Sequence, residues 1–255
     1  MGHNVNLIQK CWNVRIYKDI VNNKELTDKQ FCLYGYLSNI ARNTGVVILT
    51  DKEKKAIKKL FKYRYYHVED DVKDTALSKD IKTLFNLKLI KKFKLIPKNN
   101  KEEEVINKDF LNYDWEIELE YVPIGTKERQ YTQLPAQLFT TILEFVKDFK
   151  MIRYIYYLYG FYNQAEVDKR LGVSNIFVCT NTINKEVCKG DEHKRLQMNN
   201  VLEKLKLIKV NRQKKNCELN INNIYDILIE NIINFNPEVH KLDKSKFNRK
   251  RKNKI

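Results

Sequence analysis

Leu87-Lys88-Leu89-Ile90-Lys91-Lys92-Phe93-Lys94-Leu95-Ile96 is where the chain changes its hydrophobic period. Upstream, from about Val72 to Phe85, the apolar residues Val72, Ala76, Leu77, Ile81, Leu84 and Phe85 recur at helical spacing. From Leu87 onward apolar and cationic residues alternate, which predicts a strand with one face on a core and the other in water. Trp115-Glu116-Ile117-Glu118-Leu119-Glu120-Tyr121-Val122 alternates apolar and acidic residues and predicts the partner strand, across a polar, charged loop from Lys98 to Asn107.

Two further helices precede this pair. In Leu26-Thr27-Asp28-Lys29-Gln30 a threonine suited to N-capping leads into Phe31, Leu33, Tyr34, Leu37, Ile40 and Ala41 at helical spacing, with an end expected near Asn43-Thr44-Gly45. Val46 to Leu49 is a short β-branched run, and Thr50-Asp51 then opens a second helix whose stripe is Ala56, Ile57, Leu60 and Phe61. Three helices followed by a two-stranded hairpin is the order of a winged helix, in which the third helix enters a major groove of DNA.

The same plan recurs downstream. Leu87-Lys88-Leu89-Ile90-Lys91 reappears as Leu205-Lys206-Leu207-Ile208-Lys209, each copy closing a helical pattern and opening a strand, which points to duplication of one supersecondary unit. In the second copy Leu134-Pro135 opens a helix through about Lys147, and Met151 to Phe161 forms another. Asn163 to Ser174 reads as a short helix ending at the Gly172 turn, as in a helix-turn-helix. Asn175 to Gly190 reads as an insertion or a distorted start, Glu192 to Leu205 as the recognition helix, Val210 to Ile221 as the second wing and Tyr225 to Phe235 as a packing helix. The expected fold class is therefore mainly α with small β wings (α+β), as two tandem winged-helix domains over 1–124 and 125–235. The boundary falls at Val122-Pro123-Ile124-Gly125-Thr126-Lys127, and 236–255 should be a disordered basic tail, since Lys241 to Ile255 holds eight Lys or Arg against one Asp.

Charge bounds the partner. The 255 residues carry 48 Lys and Arg against 32 Asp and Glu, a formal net charge of +16 that attracts polyanions, of which nucleic acid is the commonest. The most apolar stretch, Met151 to Phe161, is far shorter than the roughly 20 residues needed to span a bilayer and contains Arg153, so no membrane partner is expected. Met1-Gly2-His3-Asn4 lacks the features of a secretory signal, which places the chain in the cytoplasm. The cysteines Cys11, Cys32, Cys179, Cys188 and Cys217 are scattered and odd in number, so buried thiols are expected rather than a disulfide framework. Cys179, Cys188, Asp191 and His193 lie close in sequence, yet an irregular loop accounts for them better than a metal site.

Two stretches resemble winged-helix replication initiators of plasmids and phages from low-GC Gram-positive bacteria. Leu26-Thr27-Asp28-Lys29-Gln30-Phe31-Cys32-Leu33-Tyr34-Gly35-Tyr36-Leu37, with the following Gly45-Val46-Val47, resembles the first helix of their DNA-binding domain. Tyr131-Thr132-Gln133-Leu134-Pro135-Ala136-Gln137-Leu138-Phe139 is similar to the segment that opens such domains. The matches cover about a tenth of the chain; the long aromatic turn Tyr63 to His67 and the interrupted second motif depart from the pattern. The resemblance implies two linked winged helices that bind repeated origin sequences and recruit host replication proteins.

The expected phosphate contacts are Lys73, Lys79 and Lys82 in the first domain and Lys194, Arg195, Arg212, Lys214 and Lys215 in the second. Base reading is expected from Thr75, Ser78, Lys79 and Lys82, and from Arg195, Gln197 and Asn199, whose donors and acceptors suit major-groove edges. The basic and aromatic run from Lys52 to Tyr66 could grip a backbone or stack on bases, whereas Tyr154, Tyr156, Tyr157, Tyr159 and Tyr162 read as packing. No enzyme and no cofactor are expected: His3, His67, His193 and His240 are isolated, and phosphate-loop and hydrolase motifs are absent. Asp70, Asp71 and Asp74 suit a helix N-terminus without a metal. The function expected is sequence-specific binding of double-stranded DNA, as a replication initiator, with a transcriptional regulator of the same fold as the alternative and a nuclease or recombinase as a third. A homodimer is compatible with the first two.

Overall fold

The computed structural model describes residues 13–42, 44–63, 76–97, 113–120, 130–146, 148–161, 173–212 and 222–235. These divide into two compact units, one made of the described residues up to Asp28 together with those from 130 onward, the other of those between Lys29 and Glu128.

The N-terminal stretch belongs with the second half of the chain. β1 (Asn13–Tyr17) is followed by α1 (Lys18–Val21), and β1 pairs antiparallel with β5 (Tyr131–Pro135) from Asn13 opposite Pro135 to Tyr17 opposite Tyr131. The expected 1–124 domain is corrected at its start: β1 pairs with β5, and residues 13–28 group with those from 130 onward rather than with the unit between Lys29 and Glu128. Arg153 explains part of this. Its guanidinium donates to the carbonyls of Val21 (2.8 Å), Asn23 and Leu26 (2.9 Å) and to the Asp28 carboxylate (3.3 Å), satisfying acceptors that the end of α1 and the following loop leave open.

The unit between Lys29 and Glu128 holds nearly all of α2 (Asp28–Ala41), then β2 (Val46–Leu49), α3 (Asp51–Leu60), α4 (Ala76–Asn86), β3 (Ile90–Pro97) and β4 (Tyr113–Leu119). The Glu53 carboxylate accepts from the Thr50 amide at 3.2 Å, holding the start of α3 as the sequence pattern predicts. The sheet order is β2-β4-β3, so the last strand lies in the middle. Its inner face carries Val47, Ile117 and Phe93 in one row and Leu49, Trp115 and Leu95 in the next. Phe31, Leu33, Leu37, Ile57, Leu77, Ile81 and Leu84 complete the core.

After β5, the other unit continues with α5 (Ala136–Thr141), a π-helical turn (Ile142–Val146), α6 (Phe149–Tyr159), β6 (Val173–Cys179), α7 (Thr180–Glu186), α8 (Glu192–Lys204), β7 (Ile208–Arg212), β8 (Asn222–Leu228) and α9 (Ile229–Ile233). Its sheet order is β6-β8-β7, again with the last strand central. Among the described residues, the run α6-β6-α7-α8-β7-β8 thus repeats the order α2-β2-α3-α4-β3-β4. Asn175 to Gly190 is corrected from an insertion to the strand and second helix of this repeat, and Tyr225 to Leu228 from helix to strand. Asn163 to Gly172, most of the second wing from 213 to 221 and the basic tail lie outside the described residues.

The two sequence copies occupy one conformation. Lys88 and Lys206 have φ of 58° and 54°, a left-handed geometry that halts each helix. Around them Leu87, Lys88 and Leu89 amides reach the carbonyls of Thr83, Phe85 and Leu84, while Leu205, Lys206 and Leu207 reach those of Val201, Glu203 and Leu202. The Leu89 and Leu207 carbonyls then accept from Glu120 and Leu228, which fixes the central strand against the turn.

Candidate nucleic-acid interface

In the first repeat the outward side of α4 carries Lys79 and Lys82, both exposed, with Thr83 and Asn86 beside them. The roll of this helix is set by Asp80. Its carboxylate accepts from the Tyr63 hydroxyl at 2.5 Å and from the Gln30 side-chain amide at 2.8 Å, tying α4 to α2 and to the end of α3. Burial, helped by Asp80, pushes the Tyr63 phenol well above its ordinary range, so it stays a donor.

α3 contributes a cationic face of its own. Lys52, Lys55 and Lys59 are exposed at helical spacing, and Lys62 follows just beyond the helix end. Lys54 and Lys58 point the other way. The Lys54 ammonium donates to the Tyr113 carbonyl at 2.7 Å, pairs with Asp51 at 3.0 Å and sits 5.2 Å from the centre of the Trp115 ring. Burial, and then the neighbouring Lys54 charge, lower the pKa of Lys58. By contrast, the outer face of the sheet is largely charge-balanced, with Lys92 on Glu118 (3.0 Å) and Lys91 on Glu120 (2.8 Å). Among the described residues, the exposed cations of α3 and α4 are Lys52, Lys55 and Lys59, then Lys79 and Lys82, with Lys62 just past the end of α3.

The second repeat has a different outer surface. On α8 the exposed positions are Glu192, His193, Leu196, Asn200 and Lys204, with Gln197 half-exposed. Arg195 is only 3 % exposed; its guanidinium donates to the Asn184 side chain (2.8 Å) and to Glu192 (3.0 Å). Asn199 is 0 % exposed, accepting from the Tyr154 hydroxyl at 2.6 Å and facing the Tyr225 hydroxyl at 3.5 Å. Lys194 is held by the Asp148 carboxylate, and the Asp191 side chain accepts from its amide at 2.9 Å at the helix start.

Of the sequence-predicted contacts, Lys79, Lys82 and Gln197 therefore reach solvent, and Lys194 does so in part while paired. Ser78, 3 % exposed, faces inward on α4, and Arg195 and Asn199 face inward on α8, so the base reading expected of these three does not match their buried placement. Lys73, Thr75, Lys214 and Lys215 lie outside the described residues, as does the Arg212 side chain, although its backbone ends β7. The sequence reading missed Asn200, His193 and Leu196 on α8 and Asn86 on α4. It read the Lys52 to Lys62 face only as part of an undivided basic and aromatic run. The helical spacing of Lys52, Lys55 and Lys59 was the available signal.

Tyr154 and Tyr156 are fully buried, in line with their reading as packing, and the Tyr156 hydroxyl donates to the Val14 carbonyl at 2.9 Å. Cys32 and Cys188 are buried thiols outside any disulfide, and burial pushes the Cys188 thiol up to about 11. Among the described residues no group of three or more His, Cys, Asp and Glu side chains is placed to hold a metal ion, and no helix is long and apolar enough to cross a membrane. Comparison with protein-family models and with curated proteins gives no match.

Proposed function

We propose that this chain is a sequence-specific double-stranded DNA-binding protein of two winged helices, acting as a plasmid or phage replication initiator on repeated origin sequences. The observation that carries the reading is the twice-repeated order helix, strand, helix, helix, strand, strand, with the last strand central in its sheet and the third helix leading through a left-handed lysine into the hairpin. That order supports the winged-helix reading, in which the third helix is the element laid in a major groove. The net charge of +16 and the lysines on α3 and α4 supply a phosphate-binding surface. Two readers with unlike outer faces in one chain suit unlike or directly repeated half-sites, whereas a single reader that dimerises suits a palindrome. Recruitment of host replication proteins belongs to the same proposal.

The test is selection of bound duplexes from a random pool with the full chain, followed by footprinting of the winners at two salt concentrations. Direct repeats covered by a footprint longer than one half-site are expected. An inverted repeat would favour the regulator reading, and retention of duplex no better than of single strands would overturn DNA recognition by groove reading altogether.

A further inference from the structure

A cavity of about 200 Å³ opens between α4 and the inner face of β3 and β4, lined by Ser78, Ile81, Lys82, Phe85, Asn86, Phe93 and Trp115. Its walls are mostly apolar and aromatic. Phe93 meets Trp115 edge-on with ring centres 5.7 Å apart, and Lys54 over Trp115 helps to keep the floor in place. Phe85 forms part of the rim and is 46 % exposed, unusual for a phenylalanine on a helix whose other large apolar residues are buried. Cationic and amide groups from the outward side of the same helix, Lys82 and Asn86, border the opening, with Lys79 one turn away.

We infer that this cavity receives a single unpaired base of the bound DNA, stacked on Phe85 and Phe93, with its edge at Asn86 and its flanking phosphates at Lys79 and Lys82. The inference rests on the DNA-binding reading above. An apolar cavity of about 150 Å³ already holds a benzene ring, so the space suffices for a pyrimidine. A π-face next to a cationic rim matches a nucleotide in both of its parts, base and phosphate. Stacking on aromatic side chains accepts any base, so the site would favour duplex that opens easily rather than one particular letter.

The experiment measures binding of the full chain to two fluorescent AT-rich duplexes that differ only by one unpaired thymine, at one salt concentration. About tenfold tighter binding of the bulged duplex is expected, within the range of one base–aromatic contact. Phe85→Ala should remove that preference while keeping the affinity for the paired duplex and the melting temperature; Phe85→Trp should keep it, and Asn86→Ala should weaken it without unfolding the chain. Equal binding of the two duplexes by the wild type, or a preference that survives Phe85→Ala, overturns the pocket while leaving duplex binding standing. No binding of either duplex overturns both readings. A benzene-sized compound that raises the melting temperature, with no preference for the bulge, would assign the cavity to an apolar ligand and likewise refute the inference.

Discussion

Asn199 and its neighbour Asn200 separate an interior role from a groove-reading one by a single residue. Asn199 is wholly buried, and replacing it by alanine removes the acceptor of the 2.6 Å bond from Tyr154 and the group facing Tyr225. The lost bond costs about 1 kcal/mol net, and a tyrosine hydroxyl left buried without a partner adds about 1–3 kcal/mol, so Asn199→Ala should destabilise its unit by about 3 kcal/mol. Asn200 is exposed, so Asn200→Ala should stay within about 0.5 kcal/mol of wild type in stability. As a base contact, however, it should cost about 1–3 kcal/mol of affinity for the selected site, roughly 5- to 150-fold, with little effect on random duplex. Denaturant unfolding followed by tyrosine fluorescence and anisotropy titration of specific and random duplexes measure both quantities. If Asn199→Ala unfolds at the wild-type midpoint yet loses tenfold in specific affinity, the buried placement is wrong and α8 presents the opposite face to DNA.

Further outcomes follow from the same geometry. Lys88→Gly and Lys206→Gly should each stabilise by about 0.5–1 kcal/mol, because relief of left-handed strain exceeds the added chain entropy; a lower melting temperature in either variant would refute the shared-turn argument. Asp80→Ala should lower stability by about 3 kcal/mol through the lost Tyr63 and Gln30 bonds, with Asp80→Asn keeping part of it, and equal melting temperatures for all three proteins would speak against the tie. Changing Lys55, Lys59, Lys79 and Lys82 together to Gln should reduce the slope of log K against log salt by about 3.6, at about 0.9 per phosphate, and an unchanged slope would place the phosphate path elsewhere. Lys58 is a cation whose folded pKa is lowered, so the unfolded chain binds more protons there: its stability penalty is present at neutral pH and is relieved as pH rises from the lowered value towards 10.5. Lys58→Met should flatten that alkaline rise in stability, which a series of unfolding curves between pH 7 and about 10.5 would reveal.

Much of the first repeat was legible because its signals are local. Val46 to Leu49, the Thr50 start of α3 and the two alternating strands are set by near neighbours in sequence and fall within a few residues of expectation. The pairing of β1 with β5 was not, since no local period records a partner more than 100 residues away. β6 was hidden for another reason: Asn175 interrupts its alternation and a seven-residue α7 is too short to show a helical stripe. On α8 the usual rule reverses locally, with Arg195 and Asn199 inside and Leu196 outside, so a reading by polarity turned the helix the wrong way. Only the arrival of Tyr154, Tyr225 and Asn184 from other elements makes that orientation favourable.

Comparing the repeats shows what the proposed function needs to hold fixed. The left-handed lysine, the amide pattern around it and the bond to the central strand are the same in both, and they set the angle at which the third helix leaves the hairpin. The polar tie to the first helix is also present twice but in unlike chemistry, Gln30 to Asp80 in one and Tyr154 to Asn199 in the other. Among the described residues, what has diverged is the outer face: five exposed lysines on α3 and α4 (Lys52, Lys55, Lys59, Lys79 and Lys82), against Lys185 on α7 and Glu192, His193, Leu196, Gln197, Asn200 and Lys204 on α8. Cations bind phosphates with little regard to sequence, while an amide and an exposed aliphatic group suit adenine edges and thymine methyls. On the DNA-binding reading the first repeat therefore supplies most of the salt-dependent affinity and the second most of the discrimination. Exchanging the outer residues of α4 and α8 should then move the salt slope and the sequence preference to opposite repeats. A chimera that kept both properties where they were would show that the described helices are not the surfaces in contact.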